Sequence, residues 1–244
     1  MIDLICPDWD APAGVRACST TRIGGVSQAP YNSFNLGLHV GDDAQTVHRN
    51  RSLLHDKLQL PQAPSWIRQT HGTCVVTLEQ DESRDADAAI TRHPGQVAVI
   101  MTADCLPILL CNHEGTEVAA VHAGWRGLQA GVVESVLANM HSDASDLMAW
   151  IGPGISQPHF QVGDEVFAAF ADAMVGCESY FVARGDGYWL CDLAGLALAE
   201  LTRLGVDQVD RDSGCTYRDA EQFFSYRRDG TTGRMANLIW IQPD

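Results

Sequence analysis

Two short apolar runs, Val97–Thr102 and residues 117–122, constrain this chain most. Runs of this length read as buried strands. Each is followed closely by a residue able to do chemistry: Cys105 lies just beyond the first, and His122 closes the second. Further strands are predicted at Val15–Thr20, residues 65–69 and 73–78, Leu147–Ile151, and residues 206–209 and 237–241. Helical apolar spacing fills the intervals. Asp43 is placed to cap a helix running to about Leu58. Val132, Val133, Val136, Leu137 and Met140 form one stripe across residues 128–140. Residues 164–175 and 190–204 also read as helices. Strands interleaved with helices predict an α/β layered fold. The order is not a clean βαβ repeat, so the expected sheet is mixed.

The 244 residues suit one sizeable domain, residues 1–244, with no linker or short-period repeat. A net charge of −15 leaves no global attraction to phosphate backbones or anionic lipid, so neither a nucleic-acid nor a membrane partner is expected. The N-terminal stretch MIDLICPDWD lacks the basic start and apolar core of a signal peptide, and no window is long enough to span a bilayer. A cytoplasmic protein is the expectation. Eight scattered cysteines without a C-x-x-C pair fit reduced thiols, most of them core fillers.

His71 in RQTHGT, Cys105 in TADCLP and His122 in AVHAGWRG each follow or interrupt a predicted strand. Strand ends are where α/β proteins build sites. One thiol and two imidazoles make a complete donor set for a catalytic zinc with a fourth position open. A metal there would lower the pKa of bound water. The same residues allow a Cys–His hydrolase, with Cys105 as nucleophile and one histidine as base. They also allow a plain core thiol with two satisfied histidines, since spacing alone does not make the three converge. Asp104 beside Cys105 weighs against simple core filling. The other seven histidines read as surface or helix residues, His39 in NLGLHVGDD the least determined, and no H-x-H pair occurs.

Loops offer basic candidates. TTRIGGVS, residues 20–27, holds Arg22 before Gly24 and Gly25, which reads either as an anion-binding turn or as a plain tight turn. Arg126 follows His122 in HAGWRG and reads equally as a surface arginine. FFSYRRDGTTGRM gathers Arg227, Arg228, Arg234 and Tyr226, either as a pocket for an anionic or planar ligand or as a solvated loop.

The motifs TTRIGGVS, YNSFNLGLHVGDD, QTHG, MTADCLPILL, AAVHAGWRG, IGPGIS with FQVGDEV, and CTY with FFSYRRDGTTGRMA occur here in the order that resembles the bacterial laccase-domain family. Its members are variously called polyphenol oxidase, peptidoglycan editing factor and purine nucleoside phosphorylase. The resemblance implies a single three-layer α-β-α domain, similar to a cysteine-hydrolase-like fold. It implies that His71, Cys105 and His122 share one metal or catalytic site.

It further implies a zinc-dependent enzyme of purine nucleosides. The reactions would be phosphorolysis of adenosine, inosine, guanosine and methylthioadenosine, and adenosine deamination. For that chemistry Arg22, Arg126 and Arg227 are the candidate substrate-binding residues for phosphate, and Asp104 a candidate to orient a ligand or shuttle a proton. Two alternatives stand beside it: editing of peptidoglycan precursors by amide hydrolysis of a muramoyl-L-serine nucleotide, and a copper-dependent polyphenol oxidase. Nine histidines without an H-x-H pair can supply one copper more readily than a four-copper relay. A zinc-binding partner protein without turnover is the non-enzymatic reading. The sequence leaves the oligomeric state open.

Overall fold

A computed structural model describes residues 1–243. Strands β1 (Leu4–Ile5) and β2 (Val15–Thr20) precede helix α1 (Ala44–Leu58). Then come β3 (Ser65–Trp66), β4 (Val75–Thr77), β5 (Ala88–Thr91), β6 (Val97–Thr102), β7 (Leu106–Asn112) and β8 (Val118–Ala123). Helices α2 (Trp125–Gln129) and α3 (Val132–Asn139) lead to β9 (Leu147–Ile151), β10 (Gln161–Gly163) and α4 (Asp164–Ala173). The chain closes with β11 (Phe181–Gly185), β12 (Tyr188–Cys191), α5 (Leu193–Arg203), β13 (Gln208–Arg211), α6 (Tyr226–Asp229) and β14 (Met235–Ile241).

The strands form a five-stranded sheet in the order β1-β2-β14-β6-β3, a six-stranded sheet β13-β9-β7-β8-β5-β4, and a small sheet β10-β12-β11. Both large sheets are mixed. In the first, β3 pairs with β6 in parallel and the other pairs are antiparallel. In the second, β13 with β9 and β4 with β5 are parallel.

Side-chain alternation decides how these sheets stack. In β6, Ala98 and Ile100 face a core shared with Leu109 and Cys111 of β7 and Val118 and Ala120 of β8. Val97 and Val99 face the other way, onto Phe34, Leu36 and Leu54 of the α1 side. In β7, Ile108 and Leu110 turn onto α3, α4 and α5 through Val132, Val166 and Leu196. The two large sheets therefore lie face to face with helices outside both. The α/β class with mixed sheets is as expected; the one central sheet expected between helices is two, giving α-β-β-α layers. The reason is that β6, β7 and β8 are apolar on both faces, so each needs cover on two sides. Each fully buried Val, Leu or Ile contributes about 1.5–3 kcal/mol.

Local signals explain the ends of elements. The Asp43 carboxylate accepts from the Thr46 N–H at 2.7 Å and caps α1. Asn50, buried in α1, donates to Ser27, Ser33 and Asn35 and accepts from Val26, tying residues 26–35 to the helix. The helix expected over residues 128–140 divides at Gly131, whose φ of +90° no helix tolerates. Among the described residues no helix is long and apolar enough to cross a membrane.

Two connections pass between the large sheets and carry reactive side chains. The segment from β3 to β4 leaves the five-stranded sheet for the six-stranded one, and so does the segment from β6 to β7. His71 lies on the first crossing and Cys105 on the second.

Candidate metal and active site

The donor atoms of His71, Cys105 and His122 all lie within 4.8 Å of one another. His122 comes from β8 and is 3% exposed. His71 sits in left-handed backbone, φ +63°, between two short strands. Cys105 follows Asp104, also in left-handed backbone at φ +93°. Non-glycine residues with such angles are uncommon and persist where surrounding structure holds them. The two imidazole rings meet edge to face at 4.8 Å between centroids.

One buried carboxylate assembles this geometry. Asp87, immediately before β5, accepts from the backbone N–H groups of Thr70 (3.1 Å), His71 (2.9 Å) and Gly72 (2.7 Å) and from the Thr70 hydroxyl. Its Oδ1 also lies 2.8 Å from His122 Nδ1. With Nδ1 facing the carboxylate, Nε2 is the His122 atom that meets Cys105. Fixing one ring nitrogen in this way sets the tautomer and orients the other toward a ligand. Gln69 holds the same loop by a second route. Its amide accepts from the Met101 N–H (2.7 Å) and donates to the Met101 carbonyl (2.8 Å), acting as a backbone partner for the end of β6.

The electrostatics follow from the contacts. Burial pushes the Cys105 thiol up, but the charge of His122 and hydrogen bonds with His122 and His71 outweigh it and bring it down to about 6. Burial pushes His122 down, and the Cys105 thiolate and Asp87 outweigh that and raise it to about 9. In the metal-free cluster both shifts favour thiolate with imidazolium. The thiolate is the form a metal binds and the form that attacks carbon.

These three residues form a group that can bind a metal ion. A soft thiolate with two imidazoles suits zinc or copper. Gly124 leaves room beside them: a Cβ there would sit 3.0 Å from Cys105 Sγ and 3.2 Å from His71 Cδ2. Among the described residues no second group of three such side chains converges. Above the cluster opens a cavity of about 500 Å³, walled by Phe160, Trp125 and Tyr226 and by Arg227, Arg234 and His39. That volume falls within the range of small-molecule sites.

The family model described as "multi-copper polyphenol oxidoreductase laccase" matches residues 16–242. The chain belongs to this laccase family. An Escherichia coli relative named "purine nucleoside phosphorylase YfiH" is 49% identical, over 99% of this chain and all of its own. A Pseudomonas aeruginosa relative, named "purine nucleoside phosphorylase PA4543", is 46% identical over 98% of each chain. Among solved structures, a Neisseria meningitidis protein superposes with a TM-score of 0.94 at 45% identity, covering 98% of this chain and 99% of its own. A YlmD protein from Geobacillus stearothermophilus gives 0.87 at 32% identity, over 95% of this chain and 93% of its own. The family, and relatives named as enzymes at 46–49% identity, support an enzyme acting on a small molecule.

Within this laccase-family scaffold, the other candidate residues separate. Arg227 lines the cavity, with its guanidinium donating to the Gln161 carbonyl at 2.7 Å and lying over Phe160. Arg22 does not line it. Its guanidinium donates to the carbonyls of Asn32 and Ala220 and stacks on Phe224, bracing two loops. The N–H groups of Gly24 and Gly25 both point inward to Ser33 Oγ, so TTRIGGVS is a packed turn. Arg126 is exposed and lies over Trp125, outside the cavity lining.

Asp104 lines the cavity, but its carboxylate is engaged. One oxygen accepts from Thr216 Oγ1 and the other from the Arg227 N–H, each at 2.7 Å. It clips the α6 turn and the residue 216 loop to the site.

Sequence reasoning missed Asp87 and Gln69 as contributors; Arg234, read there as part of a candidate pocket for an anionic or planar ligand, does line the cavity. Gln69 stood in the quoted QTHG motif. Asp87 carried no signal, being one of 31 acidic residues in an unremarked stretch.

Proposed function

We propose that this laccase-family chain, as one domain over residues 1–244, is a purine nucleoside phosphorylase whose site is built on His71, Cys105 and His122. One observation carries the reading: a cavity with aromatic walls and unpaired arginines opens directly onto the three-donor cluster. Phe160, Trp125 and Tyr226 offer flat apolar surface to a purine. Arg227 and Arg234 offer positive charge to phosphate in a strongly acidic protein. In phosphorolysis a phosphate oxygen bonds to the ribose C1′. The bond from C1′ to the purine nitrogen breaks with its electron pair going to the base. The base takes up a proton, and ribose 1-phosphate and free purine leave.

The chain's residues divide the work. The arginines bind and aim the phosphate. Asp87 holds His122 by Nδ1 and turns Nε2 to the cavity floor, where the neutral ring can take a metal. His71, Cys105 and His122 would hold a zinc ion, which when bound would supply Lewis-acid polarisation there. Adenosine, inosine, guanosine and methylthioadenosine are the proposed substrates, with adenosine deamination as a proposed side activity of the same cavity.

A second reading rests on a different observation. Asp87, His122 and Cys105 line up as carboxylate, imidazole and lowered thiol, the pattern of a Cys–His nucleophile pair. That supports amide hydrolysis, as in editing of a muramoyl-L-serine nucleotide. A copper-dependent polyphenol oxidase drawing on four ions finds one convergent donor set among the described residues.

Incubation with each nucleoside plus phosphate, followed by chromatography, separates these readings. Free base with ribose 1-phosphate supports phosphorolysis, and inosine from adenosine supports deamination. Free serine from the muramoyl-serine nucleotide, with no base from any nucleoside, overturns the proposal in favour of editing.

A further inference from the structure

Arg234 and His39 reach the cavity from segments near opposite ends of the chain, yet they are built as one unit. Asn35 Oδ1 accepts from both the Arg234 N–H and the Gly37 N–H, each at 2.9 Å. The Leu36 N–H donates to the Arg234 carbonyl at 3.2 Å. A Cβ on Gly37 would lie 2.9 Å from Arg234 Cγ, so the loop backbone rests on the arginine stem. Arg51 clamps the Leu36 carbonyl with Nε and Nη2, and the Tyr31 hydroxyl donates to the Val40 carbonyl beyond His39. The segment carrying His39 is thus fixed on both sides and locked to Arg234.

Among the described residues the charge on this unit has no carboxylate in direct contact, and the Cys105 thiolate and Asp104 offset it from a distance. Arg234 is half-buried, and its Nη1 is spent on the Thr232 and Gly233 carbonyls. Among the described residues no protein acceptor engages its Nε or Nη2, and neither Arg234 nor Arg227 has a carboxylate in ion-pair contact. The cavity's own carboxylate, Asp104, is committed to Thr216 and the Arg227 backbone. In a chain with 31 acidic residues, a preorganised guanidinium left unpaired in a cavity is costly unless a ligand completes it. Burial first, then the charges of Arg234, Arg51 and His71, hold the His39 imidazole below its ordinary value, a sign of how closely these cations crowd.

We infer that Arg234 and His39 form a subsite for a tetrahedral oxyanion of the phosphate class, taking the place that sequence reasoning gave to Arg22 and Arg126. The inference deepens the phosphorylase reading and rests on it for the choice of inorganic phosphate as occupant. A phosphate ester carried on the substrate has the same chemistry, and the test separates the two.

The test is calorimetric titration of inorganic phosphate, and separately of a nucleoside monophosphate, into the purified metal-containing protein. Arg234→Gln and His39→Gln are compared with Arg234→Lys and Arg126→Gln, each checked for metal content and melting temperature. We expect inorganic phosphate to bind about tenfold or more weakly to Arg234→Gln, as befits loss of a charge-assisted pair. Arg234→Lys should recover part of that loss, His39→Gln should lose severalfold, and Arg126→Gln should match the native protein.

Phosphate binding unaltered by Arg234→Gln and His39→Gln, or no oxyanion binding at all, overturns the inference. Binding of the monophosphate alone, dependent on Arg234, keeps the subsite and replaces its occupant with an ester. Arg234-dependent phosphate binding without turnover of any nucleoside keeps the subsite and overturns the phosphorylase reading.

Discussion

His122 Nδ1 and Asp87 Oδ1 lie 2.8 Å apart with both side chains sealed from solvent, and the same carboxylate gathers the backbone around His71. One acidic residue thus fixes two of the three clustered donors.

Asp87→Asn keeps the size but brings an amide NH2 toward groups that already donate. We expect metal affinity to fall about 10–100-fold, measured by competition with a chelator. Asp87→Ala should lower folding stability by about 3–5 kcal/mol, since it strands a buried imidazolium, and denaturant titration reads this. A metal affinity equal to that of the native protein in Asp87→Asn would remove Asp87 from the site.

Acid should expose the same dependence. Burial pushes the Asp87 carboxyl up, but His122, Gly72 and Thr70 outweigh it and hold it well below the usual 3.8. The folded value lies below the unfolded one. Its contribution is therefore full above the unfolded value and drains away as pH falls through the folded one. The stability gap between the native protein and Asp87→Asn should narrow in acid below about pH 4. A gap that stays constant into strong acid contradicts the assignment.

Thiol reactivity offers a site-specific check. In chelator-stripped protein, alkylation of Cys105 should rise through a midpoint of about 6 and level off above it. Cys111, which burial pushes up to about 12, should stay inert in the folded protein. Added zinc should protect Cys105. Mass spectrometry across a pH series reads all three, and a midpoint near the ordinary 9.0 would contradict the coupling to His122.

Gly124 has an ordinary φ of −73°, so alanine is allowed by the backbone and opposed only by its neighbours. The added methyl would press on Cys105 Sγ and His71 Cδ2 at 3.0 and 3.2 Å. We expect Gly124→Ala to retain its circular dichroism spectrum and to weaken metal binding at least severalfold, the overpacking cost being about 1–3 kcal/mol. Normal metal stoichiometry and affinity in this variant would show that the cluster has slack.

The arginines should divide by what they touch. Arg22→Ala removes two loop braces and a cation–π contact, so it should cost about 1–3 kcal/mol of stability. Arg126→Ala, at an exposed position, should stay within about 0.5 kcal/mol. Arg227→Ala should raise the KM for phosphate while leaving the fold intact. Steady-state kinetics beside thermal melts separates the three.

The sequence was most legible where the physics is local. Asp43 and the spacing of Val47 and Leu54 mark α1 because a cap and an amphipathic stripe need only neighbours. The run Val97–Thr102 marks β6 for the same reason. The strand β7 did not stand out, since Pro107 reads as a breaker; it is tolerated because pairing with β9 begins only at Ile108. The strand β12 and the helix α5 merged into one helical reading, although Asp192 caps α5 between them. A second sheet under the first could not be read from β6 or β8, because a run apolar on both faces does not say what covers either.

The site shows the same division. His71, Cys105 and His122 were visible as rare residue types at strand ends. Which arginine reaches the cavity depends on carbonyls of Asn32, Ala220, Gln161 and Thr232, and no side-chain pattern encodes a carbonyl's direction.

The crossings that carry His71 and Cys105 are two of the connections between sheets packed through an apolar layer, while His122 belongs wholly to one sheet. An ion gripped by all three residues would act as a rivet through both layers. Any shear of one sheet over the other would have to stretch the rivet, so the protein cannot loosen its sandwich without also disarming its chemistry.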